Sequence, residues 1–339
     1  MSAAPLDGKV ALVTGGTGGI GRETALGLAK LGATVVVVGR DRARGEQAVE
    51  AIRCQSGNER VELITADLSS LDQVRWVAER FGAMHPRLDI LVNNAAGAFA
   101  ERTETTDGFE ATLALTHLSP ALLTHLLLPR LRASVPARIV NVGSGLHRWA
   151  TMRWDDLQST GGYRGLEAYG RAKLLSLMWT YELARRLRGT GITVVAADPG
   201  SAWTPMAAAM VPSMAPVSLR LAWPLLRRLQ RRRTPAAAAR SSVVAATSRE
   251  LVSGAWVDPR GTAARSSTAS HDGEAALRAW ETTAKLLDVP LEQFAAVRTA
   301  RKAAAPQKAA VHSRIPRSGW APAVYRDDSA VAEEATAAA

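Results

Sequence analysis

Acidic side chains are in short supply: 31 Asp and Glu stand against 42 Lys and Arg in 339 residues, a formal charge of +11. An excess of this sign favours anionic partners. Nucleic acid is not expected among them, because the arginines scatter over helix faces and no nucleic-acid motif occurs. An anionic cofactor, an acidic membrane surface or plain solubility accounts for the charge more directly. Cysteine is scarcer still. Cys54 is the single one, so no intrachain disulfide can form and a reducing cytoplasm is the expected location. The thiol is expected as a semi-buried helix residue rather than a reactive group. No apolar run of about 18 residues suggests a membrane-spanning helix. The opening residues, Met1 to Lys9, lack the basic and apolar regions of a signal peptide. No internal repeat and no metal-ligand pattern are found.

What is present alternates. Val10–Val13, Val35–Val38, Val61–Ala66, Leu88–Val92, Arg138–Val142 and Ile192–Ala196 have the length and β-branched content of strands. Helical patterns lie between them, over about 20–31, 42–56, 70–81, 108–132 (interrupted by Pro120) and 167–187. This order predicts an α/β fold, a doubly wound Rossmann-type parallel sheet covered on both faces. A single domain is expected over residues 7–290. The alternation stops after Ser201, and 201–233 is expected to form a small helical lid. A small-residue helix over 235–248, a strand at Ala255–Val257 and an amphipathic helix at 273–287 follow. Residues 301–339, rich in Ala, Pro and charge, are expected to be a disordered tail.

The stretch from Lys9 to Leu26 organises the rest. It passes from an apolar strand through Thr14 and five glycines to a helical pattern, the parts that set a pyrophosphate against a helix N-terminus. Gly15 would make the tight turn, Gly19 would let the backbone approach phosphates, and Gly21 would let helix and strand pack closely. An ordinary glycine-rich βα turn is the plainer alternative. Tyr169 and Lys173 lie four apart on one helix face. An ammonium there, helped by the positive ring of an oxidised nicotinamide, would draw the tyrosine toward a working pKa. A chance surface pair is the alternative. Ser144 follows strand five, at the sheet edge where such folds bind ligands; it could donate to a substrate carbonyl or be a turn serine.

Taken in order, Thr14-Gly15-x-x-x-Gly19-x-Gly21, Asp67-Leu68, Asn93-Asn94-Ala95-Ala96-Gly97, Ser144, Tyr169-x-x-x-Lys173 and Pro199-Gly200 resemble the short-chain dehydrogenase/reductase family over roughly residues 7–290. Gly39-Arg40-Asp41, Arg138–Val142 and Trp154-Asp155-Asp156-Leu157 are similar to its retinol-dehydrogenase-like branch. The resemblance implies an NAD(P)-dependent oxidoreductase interconverting a ketone or aldehyde and an alcohol. It implies that Gly15, Thr17, Gly19, Ile20 and Gly21 cradle the pyrophosphate, and that Asp67 and Leu68 meet the adenine. Asn94, Ala95 and Pro199 would line the cofactor, and Thr204 would reach the carboxamide. Ser144 would polarise the carbonyl, Tyr169 would be the acid/base, and Lys173 would hold the nicotinamide ribose. A homodimer or homotetramer is common in such proteins.

Three departures stand out. The family's helix asparagine is here Thr116, beside His117; Ser-Ser after strand five is Gly143-Ser144; and Asp198 precedes Pro199 where His or Asn is usual. The first touches the proton relay; the other two are expected to be minor. Pro120 has no N–H for the Thr116 carbonyl, so that carbonyl is expected to be free at a kink. Its hydroxyl would then hold a water or bond back to Thr112. His117 is expected to pack rather than act as a base. NADP(H) is expected over NAD(H), since Gly39 replaces an acidic residue at the end of strand two and Arg40 follows. Leucines alternating with arginines over 217–233, broken by Pro224, suggest either a helix packed on the protein or peripheral contact with anionic membrane. The alternative to an enzyme is a cofactor-binding but catalytically idle sensor or scaffold.

Overall fold

The structure, a computed structural model, describes residues 4–290; the expected tail at 301–339 lies outside them. β1 (Val10–Thr14), β2 (Thr34–Gly39) and β3 (Val61–Thr65) alternate with α1 (Gly19–Lys30), α2 (Arg42–Ser56) and α3 (Leu71–Met84). β4 (Ile90–Asn93), α4 (Ala111–Arg132), β5 (Ala137–Val142), α5 (Gly165–Arg186) and β6 (Ile192–Ala197) complete the regular part. Then come α6 (Pro205–Ala209), α7 (Val217–Arg220), α8 (Trp223–Arg231), α9 (Pro235–Thr247), β7 (Trp256–Val257), β8 (Ala263–Ala264) and α10 (Gly273–Leu287).

The strand order is β3-β2-β1-β4-β5-β6-β7-β8, parallel except for the β7–β8 pair. It is the doubly wound sheet expected. The order reverses between β1 and β4, so their carboxyl ends bound the crevice in which such sheets bind ligands. β2 explains itself: four consecutive valines, Val35 to Val38, are fully buried because helices cover both faces. Two apolar layers result, one on each side of the sheet.

Several differences from expectation have simple causes. β8 was not expected; its turn is built by Asp258, whose carboxylate accepts the N–H groups of Arg260 (2.9 Å) and Thr262 (3.0 Å). Two-residue strands carry no readable alternation. Cys54 is exposed, not semi-buried, since it lies off the α2 face that carries Ala48, Val49 and Ile52. α4 is long and apolar enough by composition to cross a membrane, but most of it is buried inside the protein. The expected interruption near Pro224 is present: one helix ends at Arg220 and α8 starts at Trp223. Pro224 sits in the first turn of α8, where its missing N–H costs nothing.

One buried carboxylate ties the sheet's amino-terminal edge together. Asp89, 2% exposed, accepts from the Val10 N–H (3.0 Å), the Lys9 ammonium (2.9 Å) and the Arg87 guanidinium (2.7 Å). Burial pushes its pKa up, but these donors outweigh burial and hold it below the usual carboxylate value. Its contribution is therefore present above the unfolded value near 3.9 and fades as pH falls through the lower folded value. Asp89→Asn should lower stability by about 1–3 kcal/mol, discounted because Lys9 and Arg87 are partly exposed. Denaturant unfolding should show the difference at pH 7 and its loss below about pH 4.

Candidate active site

The carboxyl ends of β1 and β4 are clamped by Thr14 and Asn94. The Thr14 hydroxyl accepts the N–H groups of Asn94 and Ala95, each at 3.0 Å. The Asn94 amide donates to the carbonyls of Thr14 (2.8 Å) and Gly15 (3.3 Å). Asn94 is thus a strut beneath the glycine turn. A Cβ at Gly21 would strike both the Gly15 carbonyl and that amide, so only glycine lets α1 start this close to β1. Gly15 has φ 64° and Gly19 φ 53°, the left-handed region. Gly18 caps α1 without a side chain. Gly19 and Ile20 form the first helical positions, whose backbone N–H groups have no intrahelical partner, an anion cradle.

Neighbouring residues close the cradle. The Thr17 side chain packs against Gly39, where a Cβ would collide with it; β2 therefore ends in glycine for a steric reason as well. Arg40 is exposed next to it. The Asp41 carboxylate accepts the Arg44 N–H at 2.9 Å as the α2 cap, and Arg42 is paired with Glu46 at 2.8 Å. Asp67 accepts from the backbone and hydroxyl of Ser69 (2.9 and 2.8 Å) through one oxygen, and Leu68 beside it is buried. On the far side Thr204 caps α6, taking the Ala207 N–H at 3.1 Å. Its methyl lies 3.3 Å from where a Gly19 Cβ would stand. Pro199 is buried at the end of β6.

Tyr169 and Lys173 share the buried face of α5, at 5% and 4% exposure, with the ammonium 5.7 Å from the ring centroid. This is no surface pair. Ser144 opens a short 3-10 turn, and its Oγ accepts the Leu146 N–H at 3.3 Å, leaving the hydroxyl hydrogen for another acceptor. His147 braces that turn: Nδ1 lies 2.6 Å from the Ser144 carbonyl and Nε2 accepts the Ser267 N–H at 3.1 Å. The expected depression of the tyrosine pKa is not found in the protein alone. Burial pushes the Tyr169 phenol well above its ordinary value, only partly offset by hydrogen bonding from Ser144. The Lys173 ammonium donates instead to the Val142 carbonyl at 2.6 Å, and burial lowers its pKa to about 8.

Behind these groups α4 leaves the regular helix. Residues Ala114–Leu118 form a π turn in which Ser119 N–H reaches back to Ala114 O. Pro120 donates nothing, so the Thr116 carbonyl is released, as expected. It does not stay free: the Ser176 hydroxyl donates to it at 3.1 Å. The Thr116 hydroxyl does not bond back to Thr112; it bridges the Gly97 carbonyl and N–H, both at 3.3 Å. His117 packs, as expected, though with partners the sequence hid. Nδ1 meets Ser176 Oγ at 3.2 Å and Nε2 meets Thr283 Oγ1 at 2.7 Å. With its proton on Nδ1, His117 donates to Ser176, whose own hydrogen then serves Thr116. Burial drops its pKa to about 3, so it is neutral. A cavity with about 20 Å³ open to a water's centre lies here, bounded by Asn93, Thr116, Lys173 and Ser176. That is room for one water. Asn93 Oδ1 has no protein partner among the described residues, although its amide donates to Asn141 (2.8 Å) and Thr124 (3.0 Å).

Sheet order, glycine turn and buried Tyr–Lys pair define an α/β protein of the Rossmann class. Within that class the chain belongs to the short chain dehydrogenase family, whose model matches residues 9–215, and it lies with the retinol-dehydrogenase-like branch. It is 45% identical over 195 residues to mouse retinol dehydrogenase 12, a stretch covering 58% of this chain and 62% of that protein. The chain thus spans under two thirds of that relative. Dehydrogenase/reductase SDR family member 13 of Bos taurus is 39% identical over 287 residues, 84% of this chain and 74% of that one. Among solved structures, the Pseudomonas aeruginosa RhlG/NADP active-site complex superimposes with a TM-score of 0.60 at 28% identity, covering 77% of this chain and 98% of that one.

The sequence does not single out Ser176 or Asp198, which the structure places beside these groups. Ser176 had only its spacing, three residues beyond Lys173, to betray it. Asp198, expected to be a minor departure, is 7% exposed and close enough for its charge to raise the pKa of both Tyr169 and Lys173. Burial raises its own pKa, opposed by the Gly200 N–H at 2.9 Å. Asp198→Asn removes that negative charge, so the phenolate is repelled less and the ammonium is supported less. The Lys173 midpoint should fall below about 8 and the Tyr169 midpoint should fall with it. Side-chain NMR titration of both residues in the two proteins reads this, and a rise in either would contradict it.

Proposed function

We propose that the chain is an NADP(H)-dependent oxidoreductase interconverting a ketone or aldehyde and an alcohol on a lipophilic small molecule, working in the cytoplasm. The observation that carries this is the pair Tyr169–Lys173, 5% and 4% exposed, set beside Ser144 at the strand ends that flank the glycine turn. The cradle fits a dinucleotide: Gly15 and Gly19 take left-handed φ, and nothing stands within 4 Å of where a Gly18 Cβ would be, so the N-terminus of α1 is left open to an anion. Gly15 to Gly21 would hold the pyrophosphate, Asp67 and Leu68 the adenine end, and Lys173 the nicotinamide ribose; Ala95, Pro199 and Thr204 would border the ring. When bound, the nicotinamide supplies or accepts the hydride and, oxidised, adds a positive charge.

The chain's own groups handle the proton. Ser144 offers its hydroxyl hydrogen to the substrate oxygen. Tyr169, kept neutral by burial, is in the form that donates as a carbonyl is reduced. Lys173, with a pKa lowered to about 8, can pass a proton onward near neutral pH. The water-sized cavity behind it joins Lys173 to Ser176 and the Thr116 carbonyl. Thr116 acts there through its main chain, with its hydroxyl fastening the Gly97 loop. NADP(H) is favoured because Asp41 is spent as a helix cap, leaving Arg40 to meet a 2′-phosphate. The NADP named in one solved relative supports this.

Oxidation of NADPH and NADH against a panel of lipophilic ketones, quinones and aldehydes tests the reading. NADPH should be preferred. Tyr169→Phe should lower kcat by about 1000-fold or more while cofactor binding persists. Arg40→Ala should raise KM for NADPH about tenfold and leave NADH unchanged. A preference for NADH, or full turnover by Tyr169→Phe, would overturn it.

The relay has its own signature. Pro120→Ala restores a donor for the Thr116 carbonyl, and Ser176→Ala removes the hydroxyl that now engages it. Each should lower kcat by about tenfold or more, shift its pH profile, and leave KM for the cofactor unchanged. Ser176→Thr should restore the profile. Equal pH profiles for wild type and Ser176→Ala would exclude the relay.

A further inference from the structure

Helix α8 is mounted the wrong way round for a helix that packs on its own protein. A surface helix ordinarily turns its apolar stripe inward and its charges outward. Here Trp223, Arg227 and Gln230, spaced four and three apart, are the half-buried side. The helix is held by its arginines. The Arg227 and Arg231 guanidinium carbons lie 4.9 and 4.7 Å from the Trp203 ring centroid. Arg227 also donates to the carbonyls of Met210 (3.1 Å) and Ala208 (3.2 Å). The leucines point away: Leu225 is 60% exposed, Leu226 44% and Leu229 51%, with Leu221 just ahead at 94%. No residue of α8 is buried.

The surroundings of this apolar patch indicate its partner. Arg228 and Arg232 are exposed around the leucines, in a chain of net charge +11. A second copy laid face to face would set arginine against arginine. A bilayer carrying anionic headgroups takes the leucines into its acyl boundary and the guanidinium groups at its surface. The helix is also tied to the site. Trp203 donates its N–H to the Arg233 carbonyl at 3.0 Å, and the next residue, Thr204, lies against Gly19.

We propose that α8 is a peripheral docking element through which the protein sits on an anionic lipid surface, Leu225, Leu226 and Leu229 entering the interface and Arg228 and Arg232 pairing with headgroups. The contact holds one wall of the candidate active site at the membrane. It does not depend on the proposed reaction, because it rests on the exposed face of α8 alone.

Sedimentation of the full chain with phosphatidylserine-containing or pure phosphatidylcholine vesicles, at low and high salt, tests it without cofactor or substrate. The wild type should pellet with the anionic vesicles at low salt and be released as salt rises. Leu225→Ser/Leu226→Ser/Leu229→Ser and, separately, Arg228→Glu/Arg232→Glu should each cut partitioning by about tenfold or more with an unchanged Tm. Absence of pelleting at low salt, or equal pelleting of the leucine variant, would overturn the proposal. So would a lipid-free dimer, seen by sedimentation velocity, that the leucine substitutions abolish without any vesicle binding; α8 would then join two copies.

Discussion

The close approach of α1 to β1 at Gly21 is the constraint on which the rest depends. Gly21 can sit against the Gly15 carbonyl only without a Cβ, and Asn94 bonds Thr14 and Gly15 across the gap where strand order reverses. These contacts keep the β1 and β4 ends together and set the start of α1 against them. Both parallel halves of the sheet meet there. Ligand chemistry in a doubly wound sheet is confined to that edge because the faces are filled by helices.

Burial, more than pairing, sets the electrostatics at this edge. Tyr169, Lys173, Asp198 and His147 are all displaced chiefly by desolvation, each away from its charged form. An ammonium 5.7 Å from a ring centroid does not overcome that in a buried site. The result is a neutral phenol, a lysine that releases its proton unusually easily, and a carboxylate whose charge acts on both. Hydrogen bonds then decide direction: His147 fixes the Ser144 turn and the Val142 carbonyl aims Lys173.

Two helices depart from the ordinary pattern, and each has a local cause. In α4, Pro120 removes one N–H, the ladder slips to a π turn, and a freed carbonyl is met by Ser176 from α5. A cavity remains where the helices part. In α8, Trp203 offers a flat face that guanidinium groups cover better than leucines do, so the apolar stripe is left outside.

The fold was legible in the sequence because its signals are local. Each strand of the regular part is a buried β-branched run, each helix is long enough to show its period, and the glycine spacing is a steric demand of one turn. The same holds for Ser144, Tyr169 and Lys173, which lie on two elements whose ends meet at one sheet edge, and for the release of the Thr116 carbonyl, which needs only Pro120. What the sequence could not decide was where released or buried groups find partners. Ser176 for Thr116, Thr283 for His117, Gly97 for the Thr116 hydroxyl and Asp198 for the Tyr–Lys pair all come from other elements, tens of residues away in most cases. The pKa of Tyr169 likewise depended on how deeply α5 is buried. The outward face of α8 depended on Trp203. Such outcomes are set by packing between elements, and packing exists only once the chain has folded.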